Sequence, residues 1–147
     1  MTVSQISVFA NSRPGHLGRV LGLFEGAGVS VRGFSASDTG EYGILRFVVD
    51  KPDAALAALK GAGCACTETP VLCLKLEDKP GELSRVVGVL ARCGINVTYC
   101  YSMISTYIVL SVTDIDQARA LLAEEPVEMI SQADIARYVA SRDGKEA

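Results

Sequence analysis

Apolar and polar residues along the chain alternate between two rhythms. Val3 to Phe9 is short and β-rich, and the polar stretch ANSRPG that follows breaks it at Pro14 and Gly15. Leu17, Val20, Leu21 and Phe24 then recur at the three- and four-residue spacing that puts side chains on one face of a helix. Gly28 follows the last of them as a helix stop. Val29 to Ala36 reads as a strand, SDTGEYG as a turn, and Ile44 to Val49 as the strongest strand of this half. Asp50 and Pro52 open a second helix that carries Leu56 and Leu59 among alanines. Gly61 and Gly63 close it, and Cys64 to Thr69 makes a last short strand.

From Val71 the same order starts again. Val71 to Leu76 is a strand and EDKPG the break; Leu83, Val86, Val87 and Leu90 form the helical stripe and Gly94 the stop. Ile95 to Ser102 and Tyr107 to Val112 are strands. Asp114 caps a helix with Gln117 three residues on, and Pro126 to Ile130 holds the last strand. The residues agree as well as the rhythm. RPGHLGRVLGLFEGAGVSV at 13–31 aligns without a gap with KPGELSRVVGVLARCGINV at 79–97, at the offset of 66 that separates Pro14 from Pro80. Gly15/Gly81, Leu17/Leu83, Arg19/Arg85, Val20/Val86, Gly22/Gly88, Gly28/Gly94 and Val31/Val97 are identical pairs. A period this long is a duplicated small domain rather than a solenoid unit. A short extra helix starting at Ser131 with Asp134, able to dock Ile135, Tyr138 and Val139, has no counterpart in the first half.

Each half therefore reads βαββαβ, the split-βαβ or ferredoxin-like plan of class α+β: an antiparallel four-stranded sheet with two helices on one face. Alternation places Leu72, Leu74 and Leu76 on one face against Cys73, Lys75 and Glu77. It likewise sets Ile95, Val97, Tyr99 and Tyr101 against Asn96, Thr98, Cys100 and Ser102, so core packing is expected for the two tyrosines. The second face of Ile44–Val49 is too apolar to be bathed in water along its length, which points to contact with the other copy or another chain. The expected division is residues 1–69, residues 70–140 with the extra helix, and a flexible polar tail at 141–147. Modules of that size bury a modest core and lean on one another.

Composition narrows the classes. The 14 basic residues against 17 acidic give a net charge of −3, opposite to a nucleic-acid footprint. The strands also lack the exposed aromatics flanked by basic residues of an RNA-binding sheet. No apolar window is long enough for a membrane span, and MTVSQIS lacks a signal-peptide pattern, so a cytoplasmic protein is expected. Five cysteines are then read as reduced, partly buried groups. Cys64 and Cys66 share a strand face without the second pair or nearby His that a metal site needs, so neither metal nor cofactor is expected. A single histidine, no nucleophile–base pair and no phosphate loop argue against an enzyme. Arg13 alone would suit an acylphosphatase-like phosphate cradle, but Lys79 replaces it in the second copy.

Chemistry concentrates at the strand–break–helix junctions, NSRPGHL and EDKPGEL. Proline fixes the turn, glycine lets a ligand approach the backbone, and the helix then opens with unpaired N–H groups that suit a carboxylate. Asn11 and Ser12 in the first copy, and Glu77 and Asp78 in the second, supply polar oxygens beside that anion site. A zwitterion requires that pairing of donors and acceptors. The alternative reading is a tight turn with Asp78 as a helix cap.

Polar-x-Pro-Gly-x-Leu, an amphipathic helix, then Gly-Ile/Val-Asn/Ser-Val within βαββαβ resembles the ACT domain, a small regulatory module of amino-acid biosynthetic enzymes. The resemblance covers nearly the whole chain, twice. It implies two ACT modules, their sheets merged side by side into one of eight strands with helices on one face. It also implies a free amino acid as effector, lying at the interface between modules, where the Pro-Gly loop of one meets a strand of its neighbour. By position the loop contacts would be Ser12, Gly15, His16 and Leu17 in the first copy and Asp78, Gly81, Glu82 and Leu83 in the second. Asn96 would contribute a side-chain amide, and Ser30 is its shorter counterpart. Since Ser12 and Ser30 depart from the family pattern, one working site, or two of unequal affinity, is expected. The resemblance thus implies a non-catalytic, amino-acid-binding allosteric regulator with an enzyme of amino-acid metabolism as partner, and the leftover apolar sheet face and any open edge strand favour a homodimer. The alternatives are a docking subunit with no ligand of its own and, less favoured, a small enzyme on this fold. Arg46, alone among aliphatics, would pair with Glu77 or another acid, or meet a ligand carboxylate.

Overall fold

The computed structural model describes residues 2–11, 13–38, 40–103 and 107–138. Eleven elements follow one another: β1 (Val3–Asn11), α1 (His16–Gly26), β2 (Val31–Asp38), β3 (Tyr42–Val49), α2 (Pro52–Gly61), β4 (Ala65–Lys75), α3 (Glu82–Arg92), β5 (Val97–Ser102), β6 (Tyr107–Val112), α4 (Ile115–Ala123) and β7 (Glu128–Ile130). Residues 132–138 are helical as well. The class is α+β, with two ferredoxin-like modules in tandem. Among the described residues the strands number seven rather than eight because the last strand of the first copy and the first of the second are one. Only Pro70 separates CTET from VLCLK, and without a glycine, asparagine or aspartate there to turn the chain, extended backbone runs on as β4.

The described residues divide into two compact units, Ser4–Thr69 with residues 132–138, and Pro70–Ser131 with residues 2–3. In the first, β1 pairs antiparallel with β3, setting Ile6 opposite Phe47 and Val8 opposite Leu45, and β2 pairs with the other side of β3. Ile6, Val8, Leu45, Phe47 and Val49 share one face and close on Val20 and Phe24 of α1 and Ala55 and Leu59 of α2. The rings of Phe24 and Phe47 meet edge to face at 5.0 Å, worth about 1 kcal/mol beyond the burial itself. Cys64 and Cys66 are half-buried against this core. Gln132 ties the last helical segment to the same unit: its side chain accepts from Ser4 N at 3.1 Å and donates to Val49 O at 2.8 Å. Ile135 is buried beyond it. Val139 and the tail 141–147 lie outside the described residues.

The second unit repeats the plan. The latter part of β4 pairs with β6 on one side and β7 on the other, and β5 pairs with β6. Leu72, Leu74, Leu76 and Leu110 close on Val86 and Leu90 of α3 and on Ala118 and Leu122 of α4. Asp114 caps α4, accepting from Gln117 N at 3.1 Å, as the sequence pairs them. Helix periodicity overstates two positions. Leu21 and Leu83 are 40% and 44% exposed, because α1 and α3 turn Val20 and Phe24, and Val86, Val89 and Leu90, to the sheet.

Both copies carry a register irregularity at the same place, between Val31 and Gly33 and between Val97 and Tyr99. One extra residue in a strand reverses the facing of everything after it. Val97 therefore packs with the core, whereas Tyr99 pairs with Ser111 and Tyr101 with Val109 on the opposite face. The expectation that these tyrosines share the face of Ile95 and Val97 is corrected on this ground. Thr98, at the irregularity, donates to Ser111 O at 3.1 Å.

Cys73 lies on the face away from the helices, 2% exposed, with its thiol pushed up to about 12 by burial. Cys93 and Cys100 are exposed. Since the thiolate is the reactive form, alkylation of the folded protein with a maleimide at about pH 7 should label Cys93 and Cys100 and spare Cys73 until denaturant is added. Peptide mass spectrometry reads the order, and labelling of Cys73 as fast as Cys93 would contradict its burial.

Candidate functional site

Both Pro-Gly breaks fold into the same device. Gly15 has φ 86° and Gly81 φ 89°, the left-handed region, and each is the residue from which its helix starts. A methyl group at Gly15 would meet nothing within 4 Å, so the demand for glycine is conformational, about 1 kcal/mol against any residue with a Cβ. Neither α1 nor α3 has a side-chain cap, whereas α4 has one in Asp114. The reading of Asp78 as a helix cap is thereby set aside. No side chain caps the first-turn amides, although in α3 Glu82 N donates to Lys79 O at 3.5 Å.

The space in front of the turn is a cavity in each module. In the first it measures about 460 Å³, and it is walled by the loop residues Asn11, Arg13 and Pro14, by His16 and Leu17 at the start of α1, and by the β2–β3 side at Ala36, Ser37, Asp38, Gly43 and Leu45. In the second it measures about 270 Å³ and is walled by Glu77, Asp78, Lys79, Glu82 and Leu83 with Ser102, Tyr107 and Ile108. The correspondence is residue by residue. Asn11, Arg13, His16, Leu17 and Ala36 have their 66-residue counterparts Glu77, Lys79, Glu82, Leu83 and Ser102 on the second wall. Leu45, opposite Val8, matches Ile108, opposite Leu74. The described lining residues of each cavity belong to one module.

The expected site residues divide accordingly. Asn11, His16 and Leu17 come together around the first cavity, and Asp78, Glu82 and Leu83 around the second, while Gly15 and Gly81 set the turns. Ser12 lies outside the described residues. Ser30 and Asn96 are elsewhere, past the far ends of α1 and α3, each an eleven-residue helix about 16 Å long. Ser30 N donates to Asp50 Oδ1 at 2.8 Å, and Asn96 N to Thr113 Oγ1 at 3.2 Å. Both serve the helix-to-strand connection. Arg46 sits opposite Ser7 on β1 and Ser35 on β2, on the face away from the cavity. The hairpin wall, Ser37 and Asp38, is a contribution that sequence reasoning missed. Its only trace was the turn signal in SDTGEYG.

The cavities differ in electrostatics. In the second, Arg85 grips Glu82 with two hydrogen bonds, Nε at 3.2 Å and Nη2 at 3.1 Å, and reaches Glu125 at 3.3 Å and Pro126 O at 3.2 Å. Lys79 Nζ lies 2.8 Å from Glu77 and 3.8 Å from Glu82. The Arg85 hydrogen bond holds the Glu82 carboxyl below its ordinary range, and the Glu77 hydrogen bond raises Lys79. In the first cavity Arg13 makes no ion pair among the described residues. His16 Nε2 is shielded from solvent with no hydrogen-bond partner among them. Arg19, the counterpart of Arg85, turns away to Ala62 O at 3.1 Å.

Residues 1–139 match the family described as ACT domain pair. The chain belongs to this family. Among solved structures, a protein of Bacteroides thetaiotaomicron is 27% identical with a TM-score of 0.87, covering 92% of this chain and 96% of its own. The ligand-free regulatory subunit of aspartate kinase from Thermus thermophilus follows at 18% identity and TM-score 0.62, covering 82% and 89%. The corresponding subunit from Thermus flavus stands at 16% and 0.60, covering 84% and 90%. These last two likenesses are of fold. No curated protein matches the chain in sequence. The ACT pair thus carries its paired Pro-Gly cavities on a scaffold shared with kinase regulatory subunits.

The ion-pair network gives a pH signature. A carboxyl held low in the folded state adds stability that is complete above its unfolded pKa and is lost as pH falls through the lower folded value. The Glu82→Gln variant should therefore melt below wild type at neutral pH, and the gap should close as pH drops through and below about 4. Thermal midpoints across that range check it; a gap independent of pH would contradict the Glu82–Arg85 pairing.

Proposed function

We propose that this ACT domain pair is a non-catalytic regulator that binds a free amino acid at its Pro-Gly cavities and passes the bound state to a partner enzyme of amino-acid metabolism. The observation that carries the reading is the uncapped start of α1, opening onto a cavity with donors on the loop wall and acceptors on the hairpin wall. A zwitterion matches that arrangement, its carboxylate toward the helix start and its ammonium toward Asn11 and Asp38. The likeness in fold to regulatory subunits of aspartate kinase supports a regulatory role over a catalytic one. Ligand and partner are then coupled through binding free energies, each altering affinity for the other. The five free cysteines agree with a reducing, cytoplasmic setting, and no helix among the described residues is long and apolar enough to cross a membrane.

A docking subunit without a ligand of its own is the second reading. It is favoured by Phe34 and Tyr42, exposed at 58% and 62% on neighbouring strands of the first module. The same exposure suits a homodimer. Thermal unfolding separates the readings. Among the twenty free amino acids, each at about 10 mM, at least one should raise the midpoint by a few degrees, since a ligand at a hundred times its Kd adds about 2.7 kcal/mol. A midpoint unmoved by all twenty would overturn amino-acid binding and leave the docking subunit.

A further inference from the structure

We infer that the two cavities are unequal and that the first copy's alone takes the effector, as a site for a ligand bearing a free carboxylate, so that each chain binds one molecule. The inference rests on the reading of the Pro-Gly cavities as amino-acid sites and adds which copy works and what group it recognises.

Duplication supplies an internal control. Around the shared Pro-Gly the two copies hold different polar residues in the same fold. Arg13 and His16 in the first copy stand where Lys79 and Glu82 stand in the second. In the second copy the local charges are already satisfied by one another, Lys79 by Glu77 and Glu82 by Arg85. Its wall carries Glu77, Asp78 and Glu82 against the single cation Lys79. A carboxylate entering there would meet an acidic wall and would have to break an existing ion pair to gain a charged side-chain partner. In the first copy the loop donors are not held in this way. Arg13 has no partner among the described residues, and His16 Nε2 is a buried polar atom without a hydrogen bond. An orphaned buried donor or acceptor is costly to leave unmade. A ligand oxygen that accepts from it removes that cost, and Arg13 supplies charge-assisted pairing to the same group. The larger volume of the first cavity, about 460 Å³ against 270 Å³, leaves room for the side chain of an amino acid.

The expected asymmetry is opposite to that suggested by family pattern alone, in which Ser12 and Ser30 weaken the first copy. Ser30 lies at the other end of α1 from this cavity, its N–H donating to Asp50 Oδ1. The deciding difference is whether the donors at the loop are already engaged.

Isothermal titration calorimetry of the full chain tests this, using as probe the amino acid that most raises the midpoint in the twenty-member screen, and in parallel its C-terminal amide. The result expected is one molecule per chain, with at least about tenfold weaker binding of the amide. Arg13→Ala and His16→Gln should each weaken the amino acid to a similar degree, and Asp78→Ala should leave affinity within about twofold. Unliganded midpoints of the variants establish that each is folded. Two molecules per chain, loss on Asp78→Ala with Arg13→Ala and His16→Gln silent, or equal affinity for the amide would each overturn the inference while leaving amino-acid binding intact. Absence of binding by any of the twenty would remove both.

Discussion

A proline followed by a glycine in the left-handed conformation is the constraint on which this molecule turns. Pro14 and Pro80 fix one backbone angle, and Gly15 and Gly81 adopt another that residues with a Cβ disfavour. Together they stop β1 and β4 and start α1 and α3 without a side-chain cap. A capped helix would satisfy its own first amides, as α4 does with Asp114. An uncapped one presents them, with the positive end of its dipole, to whatever lies in front. What lies in front is a cavity closed on its other side by the hairpin of the same module.

Once the device is duplicated, each copy is free to keep the geometry and change the charge. Arg19 and Arg85 illustrate how little a conserved letter within the repeat fixes. The residue is the same and its place on the helix is the same. Three residues earlier stands His16 in one copy and Glu82 in the other, and the arginine follows its neighbour. Beside Glu82 it folds back into a bidentate pair and links to Glu125; beside His16 it bonds the carbonyl of Ala62 at the end of α2. At the loop of the second cavity the charges are thus paired with one another, and at the loop of the first His16 Nε2 has no hydrogen-bond partner among the described residues.

Much of the fold was legible in the sequence. The helix stripes, the alternation of Leu72, Leu74 and Leu76 and the Asp114 cap each report a local interaction, and local interactions leave periodic traces. The repeat supplied the rest by making every element appear twice. Two features were not legible. The fusion of two strands into β4 depends on the lack of a turn at Pro70, a weak negative signal. The facing of Tyr99 and Tyr101 depends on an irregularity after Val97, which no residue type announces. The site was half legible: its loop wall is written in Pro-Gly, but the hairpin wall is brought in by strand register, and the pairing of Arg85 with Glu125 spans forty residues. Ser30 and Asn96 follow the glycines that end α1 and α3, and the length of each helix separates them from the cavity of their own module.

The most direct measurement is of the backbone amides at the turn. With isotope-labelled protein and the amino acid that stabilises it, the account predicts that the amide resonances of Gly15, His16 and Leu17 move most, with Ser37 and Asp38 following. Shifts concentrated instead at Ser30 and Asn96, beyond the far ends of the helices, with the turn unmoved, would contradict it.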